Sequence, residues 1–158
     1  MCRTHPVLFS FSSFLFQFPD EESRYILDVG CGSGLSGEAL TEAGHEWLGF
    51  DISTAMLELA IENEVQGDIM LHDAGQGFHF RPGSFDAAIS ISAIQWLCNA
   101  DTTENVPYKR LMFFFQSLYT GLRRGGRAVM QFYPESSHQV EMITSTALRC
   151  GFKGRVAP

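Results

Sequence analysis

Three glycines at alternate positions, directly behind a short apolar run that contains an acid, constrain this 158-residue chain more than any other feature. The run is Tyr25-Ile26-Leu27-Asp28-Val29 and the turn is Gly30-Cys31-Gly32-Ser33-Gly34; the residues from Leu35 to Gly44 read as a helix. Glycine lets a backbone bend sharply and approach a small molecule, because no Cβ stands in the way. Strand, glycine turn and helix form the first βα unit of a nucleotide-type α/β fold. Spacing separates the nucleotide classes. A dinucleotide turn needs a glycine at its sixth position, which here is Leu35, and a phosphate loop needs a Gly-Lys-Ser/Thr that does not follow.

A second apolar strand, Trp47-Leu48-Gly49-Phe50, ends in Asp51, and Ser53 behind it suits a helix N-cap. An acid about 20 residues past the glycine turn suits a carboxylate that accepts hydrogen bonds from ribose hydroxyls. A third strand, residues 69–72, ends in Asp73. Acids at three strand ends place Asp28, Asp51 and Asp73 along one crevice, where open α/β sheets bind ligands.

Beyond these strands the order stays regular. Residues 55–63 predict a helix, residues 85–91 a fourth strand, and residues 93–98 a short helical turn. Pro107 opens a longer helix with Leu111, Phe114, Phe115, Leu118 and Leu122 at helical spacing, an apolar stripe that reads as core. Residues 127–133 predict a fifth strand stopped by Pro134, and residues 137–150 a last helix capped by Gly151. Alternating strands and helices imply a parallel sheet with right-handed crossovers.

Composition sets limits on function. Apolar residues make up 45% and charged residues 18%, so the body is globular. A net charge of −7 excludes strong nonspecific binding to nucleic acid by this chain alone. Arg123, Arg124 and Arg127 bracket Gly125-Gly126 and read as a solvated helix end. Cys2, Cys31, Cys98 and Cys150 make no CxxC and the five histidines no ligand spacing, so no metal site is expected and Cys31 reads as a small filler. Residues 7–18 carry five phenylalanines but no small-x-small cleavage site follows, and the run is too short to span a bilayer, so no membrane role is expected.

The motifs together resemble the eukaryotic 18S ribosomal RNA (guanine-N7) methyltransferases, class I S-adenosylmethionine-dependent enzymes. The resemblance covers about 24–154 and rests on the glycine turn through Gly37, on Leu48-Gly49-Phe50-Asp51-Ile52-Ser53, Gly67-Asp68-Ile69-Met70-Leu71 and Gln131-Phe132-Tyr133-Pro134-Glu135. Its most specific stretch is Ser90-Ile91-Ser92-Ala93-Ile94-Gln95-Trp96-Leu97-Cys98-Asn99-Ala100. It implies a Rossmann-like α/β fold with a mostly parallel five-stranded sheet in the order 3-2-1-4-5 and helices on both faces. It further implies S-adenosyl-L-methionine held by Asp28, Gly30, Cys31, Gly32, Gly34, Asp51, Ile52, Asp73, Ala74 and Ser90, with Asp73 or its neighbour at the adenine.

Ser90 and Ser92 are expected at the methyl-transfer end, and Gln95 and Trp96 are the candidates for substrate positioning. Trp96 either stacks on a flipped guanine or packs on the core; Gln95 either reads a base edge or satisfies backbone. No general base is expected, since guanine N7 carries a free lone pair and no proton. Family membership implies 18S rRNA in the pre-40S particle as substrate, a nuclear location extending to the cytoplasm, and a small zinc-binding activator protein paired to an edge strand from Asp68 to His72.

Against the family pattern, residues 1–22 read as an atypical apolar segment, 23–154 as an incomplete methyltransferase domain, and 155–158 as a truncated end, with the final antiparallel strand pair expected to be missing. Slow methylation is therefore the expectation for this form. Two alternatives stand beside the rRNA reading: a small-molecule methyltransferase, and a non-catalytic form that binds the activator.

Overall fold

The computed structural model describes residues 22–99 and 106–154. The apolar segment 7–18, Ala100 and residues 155–158 lie outside them. Five strands form one parallel sheet in the order β3-β2-β1-β4-β5, which is the order the resemblance implies. They are β1 (Tyr25–Val29), β2 (Glu46–Asp51), β3 (Asp68–Leu71), β4 (Phe85–Ile91) and β5 (Leu122–Gln131). The helices are α1 (Leu35–Glu42), α2 (Thr54–Glu62), α3 (Pro107–Gly121) and α4 (Ser137–Arg149), with 3₁₀ turns at Ala74–Gln76 and Ile94–Cys98.

Alternation along each strand splits the core in two. Leu27, Val29 and Phe50 face α3 and α4, where they meet Leu111, Phe114, Phe115, Leu118 and Ile143. Ile26, Trp47 and Ile89 face the other way, against Leu40 of α1 and Leu57 of α2. Each large side chain removed from water this completely contributes about 1.5–3 kcal/mol. On the α1 side the packing is unusually close. The Trp47 indole occupies the space that a Cβ at Gly37 or Gly67 would need, with ring atoms 2.1 and 2.2 Å from those positions. Its Nε1–H donates to Thr41 Oγ1 at 3.0 Å.

Local signals set most helix ends. Pro107 is at the start of α3, where the missing N–H has no intrahelical acceptor to lose. Ser53 Oγ accepts from Met56 N–H and Ser136 Oγ from Gln139 N–H. After α4, Gly151 at φ +99° lets its N–H reach the Leu148 carbonyl and Phe152 N–H the Ala147 carbonyl, the paired bonds of a Schellman cap.

Two expectations are corrected. Leu122 belongs to β5, not to the helix, and pairs with Phe85. The next register pair is Ala87 with Arg127, so Arg123 to Gly126 bulge out opposite Asp86 alone. Gly125 turns the bulge at φ +77°, and Arg123 bonds the Asp86 carboxylate at 2.6 Å. The strand ends at Gln131, before Phe132 and Tyr133. The basic cluster thus sits at the N-terminal edge of the sheet.

Candidate active site

Strand order reverses between β1 and β4, and a cavity of about 730 Å³ opens at the C-terminal ends of the strands there. The glycine turn crosses the end of β2: the N–H groups of Gly30 and Cys31 donate to the Phe50 carbonyl at 2.8 and 3.1 Å. Gly30 lies at φ +73°, and a Cβ on it would stand 2.3 Å from the Ala93 Cβ. Neither the backbone angle nor the space accommodates another residue. Asp51 then ties the turn to β2. Its Oδ2 accepts from Gly32 N–H at 2.9 Å and its Oδ1 from Ser53 N–H at 2.8 Å. A carboxylate has about four lone-pair sites, so two stay open for a ligand.

Asp73, behind β3, is held by a partner from a distant element. Arg110 of α3 donates Nη1 to Oδ2 at 3.0 Å and Nη2 to Oδ1 at 2.9 Å, and Gly75 N–H adds a 2.9 Å bond. Burial pushes the Asp73 carboxyl up, but the bonds from Arg110 and Gly75 with the nearby positive charge outweigh it and hold the group below its ordinary value. Gly75 makes room for the guanidinium, whose carbon lies 2.4 Å from where a Cβ would be. Arg110 is absent from the sequence reading. Its one signal was a charge placed a helical turn before Phe114, on the same face; both residues line the cavity.

Of the residues expected at the cofactor, Gly30, Cys31, Gly32, Asp51, Ile52, Asp73 and Ala74 line this cavity, and so does Trp96. Trp96 is 64% exposed, which removes the reading in which it packs on the core. The Cys31 thiol is pushed up to about 12 by burial and by the charges of Asp28 and Asp51, so it stays protonated. Among the described residues, no cluster of three His, Cys, Asp or Glu is placed to hold a metal, and no helix is long and apolar enough to cross a membrane.

Four expected residues stand behind the wall instead. Asp28 is fully buried; Ser36 Oγ donates to its Oδ2 at 2.5 Å, and Oδ1 has no partner. Burial pushes its carboxyl up to about 7 against the Ser36 bond, with the Asp51 charge adding to the rise. Gly34 is the left-handed N-cap of α1, and a Cβ there would meet Val65 Cγ1 at 2.4 Å, so its glycine serves packing. Ser90 is fully buried, and Ser92, two residues on, takes the cavity position. Gln95 donates Nε2 to the Ser92 carbonyl at 2.9 Å, the backbone-satisfying role, while its buried Oε1 is unpartnered.

A parallel sheet of this order, with a glycine turn and the Asp51 carboxylate at its switch point, is a Rossmann-like α/β architecture. A family described as "Methyltransferase domain" matches residues 26–126, and the chain belongs to it. The chain is 65% identical over 133 residues to a probable 18S rRNA (guanine-N(7))-methyltransferase of Dictyostelium discoideum, covering 84% of this chain and 46% of that protein. It is 58% identical over 138 residues to the 18S rRNA (guanine-N(7))-methyltransferase of Bos taurus, covering 87% and 49%. It therefore spans about half the length of the curated relatives it matches. Among solved structures, Haemonchus contortus phosphoethanolamine N-methyltransferase 2 in complex with S-adenosyl-L-methionine superposes with a TM-score of 0.69 at 23% identity, over 92% of this chain and 36% of that one. That likeness is one of fold.

Proposed function

We propose that the cavity binds S-adenosyl-L-methionine and that the protein transfers its methyl group to guanine N7 of 18S rRNA in the pre-40S particle, in the nucleus and on into the cytoplasm. The likeness to 18S rRNA (guanine-N7)-methyltransferases, which runs through the glycine turn, Asp51, Asp73 and the Trp96 turn alike, carries this reading. The residues fit the cofactor. Gly30 and Gly32 offer bare backbone, Asp51 keeps two acceptor sites for ribose hydroxyls, and Ile52 and Met56 offer apolar surface for a base beside Asp73 and Ala74.

Bound S-adenosylmethionine supplies an electrophilic methyl group. The chain's own work is to orient and to exclude water, since N7 presents a lone pair without deprotonation and positioning supplies the rate. Trp96 at the cavity mouth offers its indole face to a flipped base. Incubating the protein and its activator with radiolabelled cofactor and pre-40S particles tests this reading. Label released as 7-methylguanine from 18S rRNA supports it; 18S rRNA that takes up no label sinks it.

Asp51→Ala is expected to weaken S-adenosylhomocysteine binding by about 1–3 kcal/mol, through two lost ribose bonds and a released Gly32 N–H. Calorimetric titration reads the change, and an unaltered affinity contradicts the assignment.

The same reading gives β3, an edge strand of the sheet, to the small zinc-binding activator. Backbone bonds along Asp68–Leu71 provide affinity, and exposed side chains provide register. Leu71 is 58% exposed, whereas Ile69 packs toward the Trp47 cluster, so Leu71 is the side to probe. Leu71→Lys is expected to reduce activator capture in a pull-down by tenfold or more without lowering Tm. Undiminished capture removes β3 from the interface.

A further inference from the structure

Two non-glycine residues among those described have left-handed backbone: Glu64, exposed in a turn after α2, and Ser92 in the cavity wall at φ +56°. A residue with a Cβ stays in that region only where its surroundings hold it there. Three hydrogen bonds hold Ser92. Its N–H donates to the Gln131 carbonyl at 2.8 Å, its Oγ–H to Gln131 Oε1 at 3.1 Å, and its carbonyl accepts from Gln95 Nε2 at 2.9 Å. Gln131 is the last residue of β5 and pairs with Ile91, so the contacts join two adjacent strand ends to the turn that follows. That turn carries Trp96 outward while Ile94 and Leu97 anchor it in the core.

The backbone angle at Ser92 decides the direction in which the chain leaves β4. Extended backbone there would carry residues 93–98 on along the strand and away from the cavity mouth. We propose that Ser92, held by Gln131, is a positioning residue that sets the Trp96 turn across the mouth so that the indole forms a platform for the acceptor base. This rests on the guanine reading above, because a planar acceptor is what an aromatic platform serves. Cofactor binding does not depend on it, since Asp51 and the glycine turn are tied to β2.

The test uses Gln131→Leu, which removes the side-chain acceptor for Ser92 Oγ and keeps the backbone bond, and Gln131→Glu, which keeps both. The chain has two tryptophans, Trp47 at 2% exposure and Trp96 at 64%, so acrylamide quenching reports on Trp96. Gln131→Leu is expected to change the quenching constant at least twofold. It is also expected to lower kcat for methyl transfer to small-subunit rRNA at least tenfold, with S-adenosylhomocysteine affinity within twofold. Gln131→Glu should restore both, and Ser92→Ala should match the quenching change of Gln131→Leu, with no further change in the double variant. Unchanged quenching overturns the proposal, as does a parallel loss of cofactor-product binding or an equal loss in the Glu variant. If the unaltered chain methylates no rRNA, the functional reading falls, and the quenching comparison decides the role of Ser92 alone.

Discussion

Replacing Gly30 by alanine is expected to destabilise the fold by about 2–5 kcal/mol and to abolish measurable S-adenosylhomocysteine binding. Two costs add. Left-handed backbone costs a residue with a Cβ about 1–2 kcal/mol, and overpacking a filled site costs about 1–3 kcal/mol more. The obstacle is the Ala93 Cβ at 2.3 Å, on the short segment between Ser92 and the Trp96 turn, so relief must come from moving the glycine turn or that segment. Moving the glycine turn disturbs the Gly30 and Cys31 bonds to Phe50, which tie it to β2. Urea denaturation and calorimetric titration read the two effects. An alanine variant with unchanged stability and affinity would show that the turn tolerates a Cβ, and the close approach to Ala93 would lose its meaning.

Stability is expected to fall as pH rises from about 4 to 7, by up to about 4 kcal/mol, through Asp28. The sign follows from the raised carboxyl. Between the unfolded value and about 7, the folded chain holds a proton that the unfolded chain has lost, so acid favours folding in that window. The contribution is complete below the unfolded value and gone above about 7. His45 works the other way, because burial and the Arg24 charge lower its imidazole. Asp73, held low, acts only where its own carboxylate protonates in acid. Both cancel when the wild type is compared with Asp28→Asn, which keeps an acceptor for Ser36 and has nothing to titrate. The difference in unfolding free energy between the two, measured from pH 4 to 8, should carry the whole slope. Parallel profiles would mean that Asp28 is ionised throughout.

The strands flanking the switch point were legible because each is an apolar run closed by an acid or a turn residue. Tyr25–Val29 and Phe85–Ile91 stand where the pattern puts them. β5 was misplaced for a physical reason. Two arginines and two glycines read as a solvated helix end, and only the neighbouring strand shows that they are a bulge inside a ladder. In the site, Asp51 was legible from its distance past the glycine turn. Gly34 was not, since a glycine shaped for a left-handed helix cap looks in sequence like one that faces a ligand. Arg110 escaped because its carboxylate partner lies 37 positions away and meets it only when α3 packs across the 3₁₀ turn at Ala74–Gln76. Ser90 and Ser92 have equal standing in sequence, and only the strand's end separates the buried one from the one at the cavity.

The Trp47 indole gives α1 an evolutionary consequence of its own. It fills the volume of absent side chains at Gly37 on the helix and Gly67 before β3, and it crowds Gly49 as well. Positions 37, 47 and 67 therefore exchange volume together, and position 49 joins them only through Cys31. A larger residue at Gly37 or Gly67 is admissible only with a smaller one at 47, while one at Gly49 needs Cys31 to give way as well. Drift in this wall of the fold must come in paired steps. The wall backs the glycine turn through Cys31, which itself lies against Gly49, so those paired steps are also constrained by what the turn must hold.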